Sequence, residues 1–321
     1  MLVKFDEVSG LINEGKLLHI AGTEELIKKL PKGNWIGGST EYFMAESGGK
    51  VSGELLFVTE LPFKNFSFKS YTHNDIKNVA ADAYDNGFTI VILPFNSAVH
   101  KEYAENAAGF AGMFIKTIAG WVSGINLEKS GQTPVAANGI AGEVYTDKAV
   151  ALHLEVSAGK SVNLNIINIF EQDEASPVIE FTQEGFSITN CLVDGKETVF
   201  ADYLTQNDIN TQLPLVGDYS GSGVNISIKS IENGVVNLYS SVFSGIQYRV
   251  AKDVTDYAGA FNAHLVNHKN VDAVFSCNCI LNFLYGGFEG KSINAFTGPI
   301  TFGEVAYQLL NQTLVYVTVS S

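Results

Sequence analysis

The sequence predicts an α+β protein made of two mixed portions, and three observations lead there. Its 321 residues correspond to about two domains at roughly 150 residues each. Helix-like and strand-like segments alternate along the chain. An acidic, polar run ending in proline, Glu171 to Pro177, divides it into residues 1–172 and 173–321. Hydrophobic residues make up 46% and charged residues 17%, so the chain can bury a sizeable core. Its 31 glycines against 7 prolines indicate tight turns rather than disordered linkers.

In the first portion, Thr23 to Leu30 reads as a short helix, with Thr23 as its cap, Glu24 and Glu25 at its positive end and Pro31 after its stop. Asn34 to Thr40 reads as an apolar entry into a Gly-Gly loop. Glu54 to Thr59 and Phe66 to Tyr71 read as strands. Ile76, Val79, Ala80, Ala83 and Tyr84 share one helical face, with Gly87 as the C-terminal cap. Phe88 to Leu93 is a short apolar run expected as a buried strand. Ser97 to Ile118 is helix-compatible, and strands follow at Trp121 to Ile125, Thr133 to Asn138 and Ala149 to Glu155.

In the second portion, Val178 to Phe181 and Phe186 to Leu192 read as strands, and Asp194-Gly195 is a strong turn signal. Val199 to Leu204 fits a short helix. Val224 to Ile231 and Val235 to Tyr239 form a hairpin around Asn233-Gly234. Val254, Tyr257, Ala258, Phe261 and Leu265 give a second amphipathic helix. Val271 to Phe275 is a buried strand and Thr313 to Val319 a terminal one.

Charge excludes one class of partner. The chain has 34 acidic and 20 basic residues, a formal net charge of -14, and Arg249 is its one arginine. Nucleic-acid binding needs clustered Lys and Arg to neutralise phosphates, so no such partner is expected. No run of about 18 apolar residues suggests a membrane helix, and Met1 to Gly10 has no apolar core of a signal peptide. Cys191, Cys277 and Cys279 are too few and odd in number for a secreted disulfide scaffold. A cytoplasmic protein without membrane contact is the expectation.

Five constellations are candidate sites. Ser276-Cys277-Asn278-Cys279 follows the apolar strand Val271 to Phe275, and ligands gather where such strands end. Cys277 is open to three readings there: a packed thiol, a pocket-lining group, or a nucleophile, which would need a base nearby. His264 and His268, four apart on a helix, supply zinc-type residues together with Cys277 and Cys279. Their spacing is unusual and they continue the apolar stripe of Phe261 and Leu265, so structural histidines are expected, with no metal or cofactor. In Trp35 to Thr40, the backbone of Gly37 and Gly38 and the hydroxyls of Ser39 and Thr40 could receive an anion, without the lysine of a Walker loop. Arg249 could hold a carboxylate in two bonds. Thr301, Gly303, Glu304 and Asn311 form the last set, where Glu304 either starts a helix over Phe302 to Leu310 or binds a ligand amine.

The order of these segments resembles the FIST sensory family from about Trp35 to Val319. In the first portion the resemblance rests on Ile36-Gly37-Gly38-Ser39-Thr40, Ala119 to Gly124, and Asn138-Gly139 within Ala137 to Leu152. In the second it rests on Ile188 to Leu204, Ala273 to Asn278, Gly298 to Glu304 and Asn311-Gln312-Thr313. Where that family often has Gly-Arg after its F-S-C-N run, this chain has Cys279 and Ile280. The resemblance implies two related portions with mainly antiparallel sheets, packed together and covered by helices. It also implies a non-catalytic sensor of a small ligand, with amino acids as candidates, held by Ser276, Cys277, Asn278, Gly303, Glu304 and Asn311. Gly37, Gly38, Ser39, Thr40 and Arg249 are assigned supporting roles. A protein signalling partner would carry the output, and a homodimer is one assembly it allows. The alternatives are a cysteine-dependent hydrolase or redox enzyme using Cys277, and a scaffold that recruits a partner through an apolar surface.

Overall fold

The computed structural model describes residues 1–219, 221–266, 271–293 and 296–320. The α+β class holds in its coarse form, but the chain is mainly β. It opens with β1 (Leu2–Lys4), α1 (Phe5–Asn13), β2 (Leu18–Gly22), α2 (Glu24–Lys29), β3 (Trp35–Ser39), β4 (Tyr42–Ala45), β5 (Gly48–Val51), β6 (Leu55–Glu60) and β7 (Phe66–Tyr71). There follow β8 (Gly87–Pro94), α3 (Ala98–Asn106), β9 (Thr117–Ser123), β10 (Ala136–Asn138), β11 (Glu143–Tyr145), β12 (Ala149–Glu155) and β13 (Ser161–Ile167). Beyond the acidic run come β14 (Ile179–Glu180), β15 (Gly185–Ile188), β16 (Asn190–Val193), β17 (Lys196–Val199), α4 (Phe200–Gln206), β18 (Leu215–Tyr219), β19 (Ser222–Ile226), β20 (Ile228–Glu232), β21 (Val235–Val242) and β22 (Tyr248–Val250). The last stretch holds α5 (Tyr257–Leu265), β23 (Ala273–Cys279), α6 (Ile280–Tyr285), β24 (Gly298–Thr301), β25 (Glu304–Ala306), β26 (Gln308–Leu310) and β27 (Leu314–Ser320).

Several of these elements form for the reasons the sequence supplies. Thr23 caps α2, its hydroxyl accepting the Leu26 amide at 3.2 Å, and Lys28 and Lys29 pair with Glu24 and Glu25 one turn back. Asp194 and Gly195 sit at φ 48° and 77°, and Asn233 and Gly234 at φ 51° and 78°. Those are the left-handed pairs that close two-residue hairpins, here β16–β17 and β20–β21.

Others differ because tertiary packing overrides local pattern. Ile76 to Tyr84 is not a helix: a 3-10 turn covers Ile76–Asn78, which still buries Ile76, Val79 and Ala80. Gly87 begins β8 instead of capping that segment. The helix expected over Ser97 to Ile118 ends at Asn106, and Gly112 turns the chain at φ 82° into β9. Val224 to Ile231 is not one strand; it breaks at Ser227, and β19 and β20 join different sheets. Phe302 to Leu310 is the β25–β26 hairpin rather than a helix, turning at Tyr307 with φ 64°.

Five sheets result among the described residues. Their strand orders are β1-β6-β2-β3-β10-β11, β26-β25-β9-β8-β12-β7, β13-β27-β23-β24-β4-β5, β17-β16-β14-β22-β18-β19 and β15-β21-β20. Most pairs are antiparallel; β2–β3, β8–β9 and β23–β24 are parallel. Strands from either side of residue 172 share two sheets, since β25 adds to β9, β24 to β4 and β27 to β13. One core cluster accordingly mixes Ile90, Trp121 and Leu152 with Phe275 and Val317. A smaller cluster of Val8, Ile12, Ile27, Trp35 and Leu56 lies under α1 and α2. No helix among the described residues is long and apolar enough to cross a membrane.

Candidate functional site

Part of the constellation read from the second portion does come together, as a buried polar network. Cys277 and Asn278 lie within β23 and not at a turn beyond it. The Asn278 Oδ1 accepts from the Cys279 amide and from Asn282 Nδ2, both at 2.8 Å, while its Nδ2 has no partner. Thr301 Oγ1 lies 3.2 Å from the Asn278 carbonyl and 3.1 Å from Glu304 Oε1. Glu304 Oε2 accepts from the Thr313 hydroxyl at 2.8 Å and its amide at 3.3 Å. Burial pushes the Glu304 carboxyl up to about 8, against the hydrogen bonds from Thr313, Thr301 and Cys279. Asn311 is buried nearby on its own terms, donating to the Leu310 carbonyl with Oδ1 left unpartnered. Ser276 Oγ donates to the Thr297 carbonyl at 2.7 Å. Gly303, at φ 153°, precedes β25.

This network has little free space. The cavity beside Ser276, Cys277 and Asn278 is about 10 Å³, the size of a single water and far below an amino acid. Burial also holds the Cys277 and Cys279 thiols well above the usual cysteine range, with Glu304 adding to the effect. Cys277 Sγ is directed at the Gly120 carbonyl, 3.4 Å away. His264 sits on the exposed side of α5, its Nδ1 3.1 Å from the Ala260 carbonyl, and His268 lies outside the described residues.

The first-portion candidates are placed differently from the expected loop. Gly37 and Gly38 are inside β3, buried in its sheet. Their missing side chains serve close packing: a Cβ on Gly37 would lie 2.7 Å from the Ile20 carbonyl oxygen, and one on Gly38 2.7 Å from Ile92 and 2.8 Å from Trp121. The hydroxyl of Ser39 donates to the Gly124 carbonyl at 2.8 Å and accepts from the Val135 amide at 2.9 Å. That of Thr40 donates to the Ile300 carbonyl at 2.8 Å and accepts from the Tyr42 amide at 3.2 Å. Both are therefore engaged by the backbone rather than open to an anion. Arg249, on β22, donates to the carbonyls of Ser176 and Glu174 and joins none of the other candidates.

A larger cavity lies elsewhere, a groove of about 500 Å³ between the start of α3 and the β15-β21-β20 sheet. After β8, Asn96 turns the chain at φ 61°. Ser97 then caps α3, its hydroxyl accepting the His100 amide at 3.2 Å and donating to the Pro94 carbonyl at 2.7 Å. One wall carries Phe95, Ala98, His100 and Lys101; the other carries Phe186, Ser187, Lys229, Glu232, Asn237 and Tyr239. His100 is 4% exposed, and its Nε2 has no partner. Its ring lies between Phe95 and Phe186, with centroids 5.6 and 6.0 Å away. Burial first, and the charge of Lys229 second, lower its pKa to about 4, so the ring is neutral near pH 7. Lys229 Nζ stands 5.5 Å from the centre of the Phe95 ring.

Sequence reasoning missed this groove. Its walls come from residues 95–101, 186–187 and 229–239, and none of the three forms a motif. Only the capping pattern at Ser97 carried a local signal.

The family model that matches the chain is described as "Family of unknown function (DUF6976)" and covers residues 3–320. No curated protein matches, and no solved structure does. That match overturns the resemblance to the FIST family, for which no domain is found. The short motifs behind the resemblance have other roles here: Gly37-Gly38 is a strand interior, and Gly298 to Glu304 runs from one strand into a hairpin.

Proposed function

We propose a function on the premise that the chain belongs to the DUF6976 family: it is a non-catalytic protein that binds a small ligand in the groove between α3 and the β15-β21-β20 sheet. The observation that carries this reading is the groove itself, a cavity of about 500 Å³ lined by the rings of Phe95, His100, Phe186 and Tyr239 together with Ser187, Asn237 and Lys229. Such a volume suits a metabolite-sized ligand. The groove combines apolar rings with a few polar groups, the usual composition of a small-molecule site. The enzyme alternative draws no support from Cys277, because a thiol held protonated is a poor nucleophile. A cytoplasmic setting goes with this reading, on the three free cysteines.

Thermal-shift screening of a metabolite panel tests it, with Ser187→Trp as the control. Ser187 is exposed at the groove wall, so the indole obstructs the groove without entering the core. At least one compound should raise the Tm of the wild type and not of S187W. A panel without any stabiliser, or stabilisers that act equally on S187W, would overturn the reading.

A further inference from the structure

We propose that the ligand of this groove is a small aromatic carboxylate, held by its anionic group at Lys229 and the first turn of α3 and by its ring against Phe95 and Phe186. The inference rests on the groove being the ligand site. Three independent features point to this chemistry.

The first is the helix start. The nine residues of α3 leave first-turn amides without intrahelical acceptors, and the helix dipole adds partial positive charge there. Ser97 takes up only the amide of His100 among these, and Ala98 lines the groove. The second is the aromatic wall, where the ring of His100 is set between Phe95 and Phe186. These three rings offer planar apolar surface to an aromatic ligand.

The third is charge placement. The chain carries a formal net charge of -14, yet Lys229 has no carboxylate partner among the described residues, and Lys101 is shared only with Glu105 at 3.8 Å. The Lys229 ammonium, 5.5 Å from the centre of the Phe95 ring, makes a local positive group on an acidic protein. Glu232 is the one acidic lining residue. It would disfavour a second negative group and tolerate an ammonium, so an aromatic amino acid fits as well as a simple arylacetate. The body of the ligand meets the rings of Phe95, His100 and Phe186, whose tilted contacts suit a further planar group, with Tyr239 also in the lining.

Calorimetric titration with three compounds sharing one ring tests the assignment: phenylacetate, phenylalanine and phenethylamine. Phenylacetate and phenylalanine should bind, and Lys229→Gln should weaken both by about tenfold or more, as expected for loss of a charged hydrogen bond. The Tm of unliganded K229Q should stay at the wild-type value, because Lys229 is exposed and outside the core. Phenethylamine should show no binding. Equal binding of phenethylamine, or unchanged affinities in K229Q, would overturn the anion assignment. The two levels separate through S187W. Neutral or cationic compounds that bind wild type but not S187W would keep the groove as a ligand site while removing the aromatic carboxylate. Absence of any S187W-sensitive ligand in all charge classes would remove both.

Discussion

Glu304 is a buried carboxyl with no ion-pair partner among the described residues, and its surroundings determine how stability responds to pH. Its folded pKa is raised to about 8 from an ordinary 4.5. The unfolded chain therefore loses the proton first, and stability falls as pH rises from about 4.5 through about 8. The buried histidines act in the opposite sense. His19 is lowered to about 3, and His100 and His153 to about 4, by burial first. Their contribution is present above pH 6.5 and is lost as pH falls through about 4. Glu304→Gln replaces the carboxyl by a neutral group of the same shape. It should raise stability at pH 8.5 by on the order of 2–4 kcal/mol and change it little at pH 5, as read from urea unfolding at the two values. Equal effects at both pH values would contradict the buried, uncompensated carboxyl. Sequence reasoning did single out Glu304, Thr301 and Asn278, and they share one network. It could not tell an interior network from a ligand site, because that depends on the free volume around them.

At the level of elements, glycine decides where strands can meet. Gly120 lies in β9 opposite Val91 of β8, and a Cβ there would stand 1.9 Å from the Val91 carbonyl oxygen, at a backbone φ of 157°. Gly120→Ala should force the central parallel pair apart and cost upwards of about 3 kcal/mol, measured as the shift in the urea midpoint. Gly109→Ala is the comparison: nothing stands within 4 Å of its Cβ, so its effect should remain within about 1 kcal/mol. Equal midpoints for the two variants would refute close packing as the reason for Gly120. Elements with their own local chemistry were legible in the sequence, including α2 with its cap and the Asn233-Gly234 hairpin. Those that exist through distant pairing were not. The β25–β26 hairpin carries a helix-compatible pattern, but β25 extends the sheet of β9, a partner nearly two hundred residues away that no local window contains.

On the scale of the whole molecule, two sheets cross the acidic run at Glu171 to Pro177. Separately expressed fragments 1–172 and 173–321 would leave β9, β4 and β13 without their partners β25, β24 and β27. Neither fragment alone should show a cooperative thermal transition, whereas mixing or co-expressing the two should restore one. An independent transition in fragment 1–172 would show that its first and second sheets are self-sufficient. The mixed class and the wealth of turns were readable from composition and alternation. The pairing across the chain was not, because linear order says little about which strands become neighbours.

The position of β27 has a further consequence, for synthesis. It lies between β13 and β23 and contributes buried Val315 and Val317, yet it is translated after every other strand of the described residues. On the ribosome β13 must wait, with its inner edge unpaired, until β27 has been made. Sheet completion is therefore a late, long-range event, and the nascent chain is most exposed to aggregation during that interval.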